Sequence, residues 1–335
     1  MSRGPRRSDE FALIRRLWAP LARGFPDAYG LADDVAYLAL EGGRLRAGEE
    51  LVLKTDALVE GVHFLPDDPA DLVARKLLRV NLSDLAAKGA RPLVYLFTLM
   101  LPESVDEAWL ERFAAGLAAD QDEFGIVLAG GDTVATPGPL ALSLAAVGAI
   151  PAGGRLLREN AKPGDAVFVS GTIGDAALGL LALRGRLGGI APAEARFLSE
   201  RYRLPQPRLA LGQRLRGLAH AAMDISDGLI GDLEHIAAAS HVSATIEAEA
   251  VPLSTAARAA LSADAALLER VLAGGDDYEL LFTAPPERAE ALAALGRELG
   301  VPLTRVGNVK SGEGVEALDA ERRPIRLART GYRHF

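Results

Sequence analysis

Short apolar runs alternate with amphipathic segments along this chain, and that alternation limits the possible folds more than any other feature of the sequence. Runs such as Leu93–Leu101 and Ala166–Val169 have the length and composition of buried strands. The segments between such runs have the apolar spacing of helices. Strands that alternate with helices of about 12 residues indicate an α/β architecture, with some α+β character.

A change in composition divides the chain into two halves. Residues 151–164 are rich in glycine, proline and arginine, which is typical of a connection between domains. The chain has 335 residues, more than a single hydrophobic core usually covers. We therefore expect two domains, formed by residues 1–150 and 151–335.

Caps and turn residues predict where the secondary-structure elements begin and end. Ser8 is expected to cap a helix from about Asp9 to Leu21, and Ser104 to open a capping box for a helix through Leu117. A further helix, from residue 69, is expected to stop at Gly89. The other predicted strands are 35–40, 51–53, 126–128, 140–150, 221–225 and 278–283, and further helices are expected after residues 175 and 228 and over 286–299.

The composition excludes several classes of protein. Apolar residues make up 49% of the chain and charged residues 24%, as in a globular protein. The sequence contains no cysteine, which rules out disulfides, thiolate metal sites and a cysteine nucleophile. The net charge of −8 argues against a nucleic-acid partner. No apolar run reaches the roughly 18 residues of a membrane span, and no apolar segment follows the basic N-terminus, so we expect a cytoplasmic protein.

Six short motifs place an aspartate at a turn, often beside a glycine. Each motif alone is typical of an ordinary turn or helix cap, because Asp and Gly are common there. As a set they are harder to explain in this way, since converging carboxylates repel one another unless a cation lies between them. The motifs are Asp33-Asp34, Thr55-Asp56, Asn81-Leu82-Ser83-Asp84, Gly130-Gly131-Asp132, Asp224-Ile225-Ser226-Asp227-Gly228 and Gly274-Gly275-Asp276-Asp277.

The chemistry of these motifs favours a magnesium–nucleotide ligand. Oxygen ligands without thiolates select Mg²⁺ over zinc or iron, and carboxylate-bound Mg²⁺ usually shares phosphate oxygens with its substrate. Asn81 and Asp84 are three residues apart in a predicted helix and therefore share a face. Gly171 and Gly174 form only a fragment of a dinucleotide fingerprint, and an ordinary tight turn explains them equally well. The sequence has no P-loop, protein-kinase glycine loop or G-x-S-x-G elbow.

Taken in order, the motifs resemble those of the thiamine-monophosphate kinases, in the superfamily that includes aminoimidazole-ribotide synthetase and selenophosphate synthetase. The resemblance extends from Phe11 to Phe335 and is most specific in Thr55–Phe64 and Asn81–Ala87. It implies ATP-dependent conversion of thiamine monophosphate to thiamine diphosphate. It also implies an N-terminal mixed-sheet domain that binds ATP and Mg²⁺ and forms a homodimer through its sheet. A C-terminal α/β, sandwich-like domain would complete the active site.

The resemblance also implies roles for individual residues. The implied magnesium ligands are Asp34, Thr55, Asp56, Asp84, Asp132, Asp224 and Asp227. The implied ATP contacts are Gly131, Asp132, Arg158 and Ser226. The implied contacts to the thiamine substrate are His63, Asp276 and Arg329. The expected catalytic residues among these are Asp34, Asp84, Asp132 and Asp227.

Several residues depart from the family pattern or have two interpretations. Lys54 stands where relatives often carry a small residue, so only its backbone carbonyl is expected to reach a metal. Asp276 replaces a glutamate of some relatives, and Arg329 stands where an aromatic side chain often stacks on the substrate. Phe124 is expected to be an ordinary core residue, with an adenine contact as the alternative.

The expected nucleophile is a phosphate oxygen, which is largely anionic at neutral pH because its second pKa is about 6. Direct in-line transfer of the γ-phosphoryl group, assisted by several Mg²⁺ ions, is therefore the predicted mechanism, and a phospho-aspartate intermediate is the alternative. Selenophosphate synthesis and the hydrogenase-maturation activity normally need a cysteine, which this chain lacks. The stretch around His63 argues against aminoimidazole-ribotide synthetase. A nucleotide-binding protein without catalysis is the alternative from a different class.

Overall fold

The computed structural model describes residues 10–31 and 45–332 of the chain. It divides into two units, one formed by Met1–Leu85 and Ala90–Gly153 and the other by Ala86–Gly89 and Gly154–Phe335. Each unit has its own sheet with helices around it, which confirms the expected mixed α/β class. The assignment of separate roles to residues 1–150 and 151–335 stays a prediction.

The first unit contains a four-stranded mixed sheet in the order β1-β4-β2-β3. Strand β4 is antiparallel to both β1 and β2, and β2 is parallel to β3, so β1 and β3 form the two edges. The elements are α1 (Glu10–Leu13), β1 (Glu49–Val59), α2 (Ala70–Ala87), β2 (Arg91–Leu101), α3 (Glu107–Phe124), β3 (Val127–Ala135) and β4 (Ala141–Pro151).

The two faces of this sheet differ in their surroundings. On one face, Phe97 of β2 packs edge-on against Trp18, with ring centres 5.3 Å apart, and Phe113 of α3 lies 6.4 Å from both rings. The opposite face carries exposed apolar side chains, with Leu53 73% exposed and Leu96 and Val134 each 42% exposed. Several exposed apolar side chains on one face of a sheet are typical of a face that another molecule covers.

The N-terminal helix differs from the predicted regular α-helix. After α1 the chain continues as a π-helix over Ile14–Trp18 and as a 3₁₀-helix over Ala19–Ala22. Pro20 explains part of this change, because proline has no N–H for an α-helical hydrogen bond and its ring crowds the preceding turn. The predicted cap Ser8 and the predicted strand 35–40 lie outside the described residues.

Three other predicted boundaries in the first unit are wrong. Asp106, rather than Ser104, caps α3, because its Oδ1 accepts the N–H of Trp109 at 2.7 Å. Thr55-Asp56 lies inside β1 rather than at its end, because β1 keeps its antiparallel pairing with β4 as far as Val59. The strand after residue 126 also extends through Asp132, where its parallel pairing with β2 continues.

The second unit contains a six-stranded sheet in the order β10-β7-β9-β5-β8-β6. All neighbouring strands are antiparallel except β7 and β10. The strands are β5 (Ala166–Ser170), β6 (Ala221–Asp224), β7 (Ser243–Glu247), β8 (Leu280–Ala284), β9 (Leu303–Lys310) and β10 (Gly314–Leu318). The helices are α4 (Asp175–Leu183), α5 (Pro192–Arg203), α6 (Leu209–Leu215), α7 (Leu229–Ser240), α8 (Thr255–Ala263), α9 (Leu268–Ala273) and α10 (Ala289–Leu299).

Strand β8 begins two residues later than predicted. Tyr278 has a φ of 50° and donates its backbone N–H to the carbonyl of Ile225, so it cannot join the strand.

Within residues 10–31 and 45–332, no helix is both long enough and apolar enough to cross a membrane.

Candidate functional site

The residues predicted to act in the site are distributed over both units, and each unit is described by itself. The first unit contains Thr55, Asp56, His63, Asp84, Gly131 and Asp132. The second contains Arg158, Asp224, Ser226, Asp227, Asp276 and Arg329. Asp34 lies outside the described residues.

In the first unit, two predicted metal ligands converge on one lysine. Lys54 and Asp56 are two residues apart on β1, so their side chains leave the same face of the strand. Nζ of Lys54 is 3.1 Å from Oδ1 of Asp56 and 2.9 Å from Oδ2 of Asp84, which lies in α2. Burial lowers the pKa of Lys54, but Asp84 and Asp56 raise it by more, so the net shift is upward. The two carboxylates are therefore close enough to share a cation, which fits the donor set of a magnesium site.

Asn81, which was predicted to share a face with Asp84, is fully buried in α2. Its Nδ2 donates to the carbonyl of Leu77 at 2.9 Å, one turn earlier in the same helix. Its Oδ1 has no hydrogen-bond partner in the part of the chain that the structure describes. The amide therefore lies in the interior of the unit, whereas the carboxylate of Asp84 is 21% exposed.

The side chain of Thr55 does not belong to the Lys54 cluster. It leaves β1 on the exposed face of the sheet, and its Oγ1 donates to the carbonyl of Leu144 at 3.1 Å. Of the two oxygens of Thr55, only the backbone carbonyl remains suitable for a metal on the side of Asp56.

Asp132 lies on β3, at the sheet edge opposite to β1. Three strand spacings separate the two edge strands, a distance of roughly 14 Å. Asp56 is in the same cross-strand row as Leu144, Phe97 and Gly131, whereas Asp132 is in the next row. The side chains of Asp56 and Asp132 therefore leave opposite faces, and a single sheet does not bring them to one metal ion.

Gly131 is required by the close approach of β3 to β2. A Cβ atom at this position would lie 2.0 Å from the carbonyl oxygen of Phe97, far inside any normal contact distance. The glycine therefore lets the exposed edge strand keep its register up to Asp132.

His63 is held in a turn at the end of β1. Its Nδ1 accepts the backbone N–H of Val59 at 3.0 Å, so the neutral ring carries its proton on Nε2. The buried Lys76 donates a hydrogen bond from its Nζ to the carbonyl of His63 at 3.0 Å and so holds the turn in place. This arrangement suits a role as a hydrogen-bond donor.

In the second unit, several predicted residues meet at the turn between β6 and α7. Asp224 ends β6, and Ser226 and Asp227 form the turn itself. The backbone N–H of Asp276 donates to the carbonyl of Ser226 at 2.8 Å, and that of Tyr332 donates to the carbonyl of Asp227 at 2.9 Å. The turn thus links a predicted ATP contact, a predicted substrate contact and the C-terminal segment.

The segment around Asp276 has unusual backbone geometry. Asp276 and Tyr278 have φ angles of 72° and 50°, in the left-handed region that non-glycine residues rarely adopt. Such conformations cost about 1–3 kcal/mol each and occur most often at functional sites. Gly275 allows the approach to the turn, because a Cβ there would lie 2.1 Å from the carbonyl oxygen of Ser226.

Buried acids hold the Asp276 segment in place. Asp277 accepts the backbone N–H groups of Gly174 at 2.6 Å and Ala176 at 3.2 Å, at the start of α4, and burial raises its pKa to about 8. Glu279 is fully buried and accepts hydrogen bonds from Ser170 at 2.6 Å and from Arg208 Nε at 2.7 Å. These contacts fix the backbone between the two strained residues and directly after them.

The raised pKa of Asp277 predicts a pH-dependent contribution to stability. An unfolded chain releases this proton near 3.8 and the folded chain near 8, so the folded state holds one more proton between these values. Rising pH therefore lowers the free energy of unfolding across this range. In Asp277→Asn, which cannot titrate, we expect the free energy of unfolding relative to the natural protein to increase from about pH 6 to about pH 8.5. Urea unfolding at both pH values measures this change, and a difference independent of pH would contradict it.

Sequence reasoning did not identify Asp232, in the first turn of α7. Its Oδ2 accepts the N–H groups of Asp227 at 3.0 Å and Gly228 at 3.1 Å. Burial, together with Asp224 and Asp227, raises the pKa of Asp232 to about 8. Its buried Oδ1 has no hydrogen-bond partner among the described residues. The only signal in the sequence was an acid in the first turn of a helix, which is common for helices in general.

The acids around the β6–α7 turn suit a cation that neutralises them. Burial is the largest cause of the raised pKa of Asp232, and the nearby carboxylates of Asp224 and Asp227 raise it further. Within residues 10–31 and 45–332, no three acidic or histidine side chains are grouped closely enough to hold a metal ion by themselves. Phosphate oxygens and water would therefore have to supply the remaining ligands, as is usual for Mg²⁺.

Two other candidates, Arg158 and Arg329, lie outside these clusters. Arg158 is exposed and follows Leu157, which bridges to Ala221 at the start of β6, the end opposite to Asp224. Arg329 is also exposed, although the neighbouring Thr330 donates to Glu234 of α7 at 3.0 Å.

Phe124 is partly buried at the end of α3. The guanidinium carbon of Arg79 lies 4.9 Å from the centre of its ring, and Arg79 Nε also donates to Asp120 at 2.7 Å. Phe124 therefore packs against an internal ion pair of the first unit, which favours the core interpretation.

Comparisons with known proteins agree on one family. The model of "AIR synthase related protein, N-terminal domain" matches residues 32–150, and that of "AIR synthase related protein, C-terminal domain" matches residues 162–319. The chain is 44% identical to the thiamine-monophosphate kinase of Caulobacter vibrioides over 328 residues, which cover 97% of this chain and 90% of the relative.

Solved structures give the same result. The thiamine-monophosphate kinase from Stenotrophomonas maltophilia K279a superposes with a TM-score of 0.82 and 45% identity, covering 92% of this chain and 96% of that chain. AaThiL complexed with AMPPCP and TMP superposes with a TM-score of 0.77 and 32% identity, covering 90% of this chain and 91% of that chain.

Proposed function

The chain belongs to the thiamine-monophosphate kinases of the AIR synthase related family, and we propose that it transfers the γ-phosphoryl group of ATP in line and directly to thiamine monophosphate. The observation that carries this proposal is the convergence of Asp56 and Asp84 on one cationic group, in a chain whose relative AaThiL binds AMPPCP and TMP. Residues 1–150 would bind ATP and Mg²⁺, and residues 151–335 would complete the site.

The acidic residues would hold Mg²⁺ between two anionic reactants. When bound, Mg²⁺ supplies charge neutralisation and alignment of the attacking and leaving oxygens. Its proposed ligands are Asp34, Asp56, Asp84, Asp132, Asp224 and Asp227 with the backbone carbonyl of Thr55, and Asp34, Asp84, Asp132 and Asp227 are the proposed catalytic residues among them. The attacking phosphate oxygen is already anionic near neutral pH, so the chain does not need to supply a general base.

The proposed ATP contacts are the backbone at Gly131, the turn residue Ser226 and the exposed Arg158, whose guanidinium suits phosphate oxygens. We place this reaction in the cytoplasm, where ATP is available.

Incubation of the protein with ATP, Mg²⁺ and thiamine monophosphate tests the proposed reaction. We expect chromatography to show thiamine diphosphate and ADP in equal amounts. Consumption of neither substrate would indicate a nucleotide-binding protein without catalysis. With γ-labelled ATP and no thiamine monophosphate, we expect no labelled protein, because direct transfer forms no phospho-aspartate.

Asp276 and His63 are the proposed contacts to thiamine monophosphate, with Arg329 as a peripheral contact. The thiazolium ring and the amino group of thiamine suit a carboxylate such as that of Asp276, and His63 would donate from Nε2. The strained φ of Asp276 is consistent with this role, because it commits the residue to one orientation.

Substitution of Asp276 should raise the KM for thiamine monophosphate about 10- to 100-fold, the scale of a lost charged hydrogen bond, and leave the KM for ATP unchanged. Asp276→Asn is the sharper variant, because Asn tolerates the left-handed φ whereas Ala does not. Steady-state kinetics with each substrate varied in turn measures both constants. A change confined to the KM for ATP would show that the assignment is wrong.

The exposed face of the first sheet supports a homodimer. Leu51, Leu53, Leu96 and Val134 share this face and are 42–73% exposed. We propose that a second copy covers them, because a large exposed apolar surface is unfavourable in a monomer.

Light scattering at micromolar concentration should give the mass of a dimer. The double substitution Leu53→Lys with Leu96→Lys should shift the mass to that of a monomer, since it places charges in the face that the second copy would bury. Phe197→Lys is the matched control, because Phe197 is also exposed, at 41%, but lies on α5 in the other unit. A monomer mass for the natural protein would contradict the proposal.

A further inference from the structure

We propose that Lys54 is a built-in counter-ion for Asp56 and Asp84, and that a divalent cation must displace its ammonium group in order to bind these carboxylates. Lys54 would then set the affinity of the site for divalent cations. The inference rests on the proposed metal role of Asp56 and Asp84.

The geometry of the cluster is that of one cation shared by two anions. The ammonium group of Lys54 is 3.1 Å from Asp56 and 2.9 Å from Asp84, both within range of charge-assisted hydrogen bonds. The two carboxylates belong to different elements, β1 and α2, so the lysine also joins the strand to the helix. A divalent cation bound to both carboxylates would need the oxygen lone pairs that the ammonium group now occupies.

The exposure of the three side chains allows this exchange. Lys54 is 28% exposed, Asp56 36% and Asp84 21%, so water and ions can reach the cluster. The flexible four-carbon stem of lysine lets its ammonium group move into solvent without a change in the backbone. The ammonium group of Lys54 and a divalent cation would repel each other if both lay between these carboxylates, so the binding of one disfavours the other.

An ordinary stabilising ion pair makes a different prediction. In that case Lys54→Met would lower the stability of the protein and would leave its affinity for divalent cations unchanged. A competing counter-ion predicts that the same substitution strengthens divalent binding, and that Lys54→Arg, which keeps the charge, restores the natural affinity.

The test is a titration of the intact protein with Mn²⁺ in the absence of nucleotide, with unbound Mn²⁺ measured by electron paramagnetic resonance. We expect Lys54→Met to bind Mn²⁺ at least about tenfold more tightly than the natural protein, since a positive charge a few ångströms from the ion is removed. Lys54→Arg should resemble the natural protein. Lys310→Met is the matched control for net charge, because Lys310 is exposed on β9, and it should leave the affinity unchanged.

The variant Asp84→Asn distinguishes a failure of the proposed metal role of Asp84 from a failure of the proposed role of Lys54. If this variant binds Mn²⁺ as tightly as the natural protein, the proposed metal role of Asp84 fails. If Asp84→Asn weakens binding but Lys54→Met does not strengthen it, the role of Lys54 alone is refuted. Equal strengthening by Lys54→Met and Lys310→Met would also refute it, because the effect would then come from net charge.

The ion-free stability gives a second, independent readout. Without the ammonium group of Lys54 the repulsion between the two carboxylates is stronger, so the melting temperature of Lys54→Met should fall in chelator and recover on addition of Mg²⁺. A variant that stays destabilised in saturating Mg²⁺ would have lost only a structural contact, which contradicts the proposed exchange.

Discussion

Asp84→Asn should lower kcat at least about 100-fold, the effect typical of removing one electrostatic stabiliser from an active site, and Asp56→Asn should do the same. Each substitution keeps the volume of the side chain but removes an anion from the pair that Lys54 now bridges. The metal would then lose a charged ligand at the point where the phosphates must be aligned.

The measurement is kcat at saturating ATP, thiamine monophosphate and Mg²⁺. Asp122→Asn is the matched control, because Asp122 is an exposed acid on α3, away from the cluster, and it should leave kcat unchanged. If Asp56→Asn and Asp84→Asn both turned over at nearly the natural rate, these carboxylates would not form part of a metal cluster.

The fold was predictable where a local pattern decides the structure. Leu93–Leu101 and Ala166–Val169 are apolar runs of strand length, and both lie in strands in which most of their side chains are buried. Strand β7 and helices α5, α6, α8 and α9 were not predicted. In β7, Ser243 and Thr245 interrupt the apolar pattern, and the pairing with β9 stabilises it from outside the segment.

The limits of several elements depend on contacts that are distant in sequence. Tyr278 continues the apolar pattern of β8, yet its hydrogen bond to Ile225 keeps it in a left-handed conformation. Asp106 and Ser104 are both good helix caps by composition, and only the hydrogen bond from Trp109 distinguishes them. Local propensity cannot rank such alternatives.

The motifs of the candidate site were visible in the sequence, but their spatial grouping was not. Sequence reasoning reduced Lys54 to its backbone carbonyl, because the position of its ammonium group depends on where Asp84 of α2 lies relative to β1. Burial is the largest cause of the raised pKa of Asp232 and the expected repulsion from Asp224 and Asp227 adds to it, whereas at Asp56 and Asp84 a lysine lies beside both carboxylates. Strand order also decides that Asp56 and Asp132 lie at opposite edges of a sheet, and strand order cannot be read from short motifs.

That separation of Asp56 from Asp132 leads to a second large effect. If both residues serve one magnesium–nucleotide complex in the proposed homodimer, we expect them to come from different copies, since one sheet holds them roughly 14 Å apart on opposite faces. Two variants that are each inactive should then restore activity when they are mixed. We expect this for Asp56→Asn combined with Asp132→Asn.

Random pairing at equal concentrations makes half of the dimers mixed, and each mixed dimer contains one site with both natural residues. The mixture should therefore reach about one quarter of the natural activity, because the twofold symmetry of a dimer builds both sites from the same pair of surfaces. Co-expression with two different affinity tags, followed by sequential purification, isolates the mixed dimers for the same assay.

A second mixture tests whether such recovery reflects the geometry of the sheet. Asp56 and Asp84 lie in one copy, within 3.1 Å of the same lysine, so Asp56→Asn mixed with Asp84→Asn leaves every site with one damaged ligand. This mixture should stay at the activity of the single variants, although its subunits exchange equally well. If neither mixture recovered activity, Asp56 and Asp132 would act in the same copy or in separate sites. If both mixtures recovered activity, the recovery would not depend on which residues share a copy. The assignment of ligands to the two sheet edges would then be wrong.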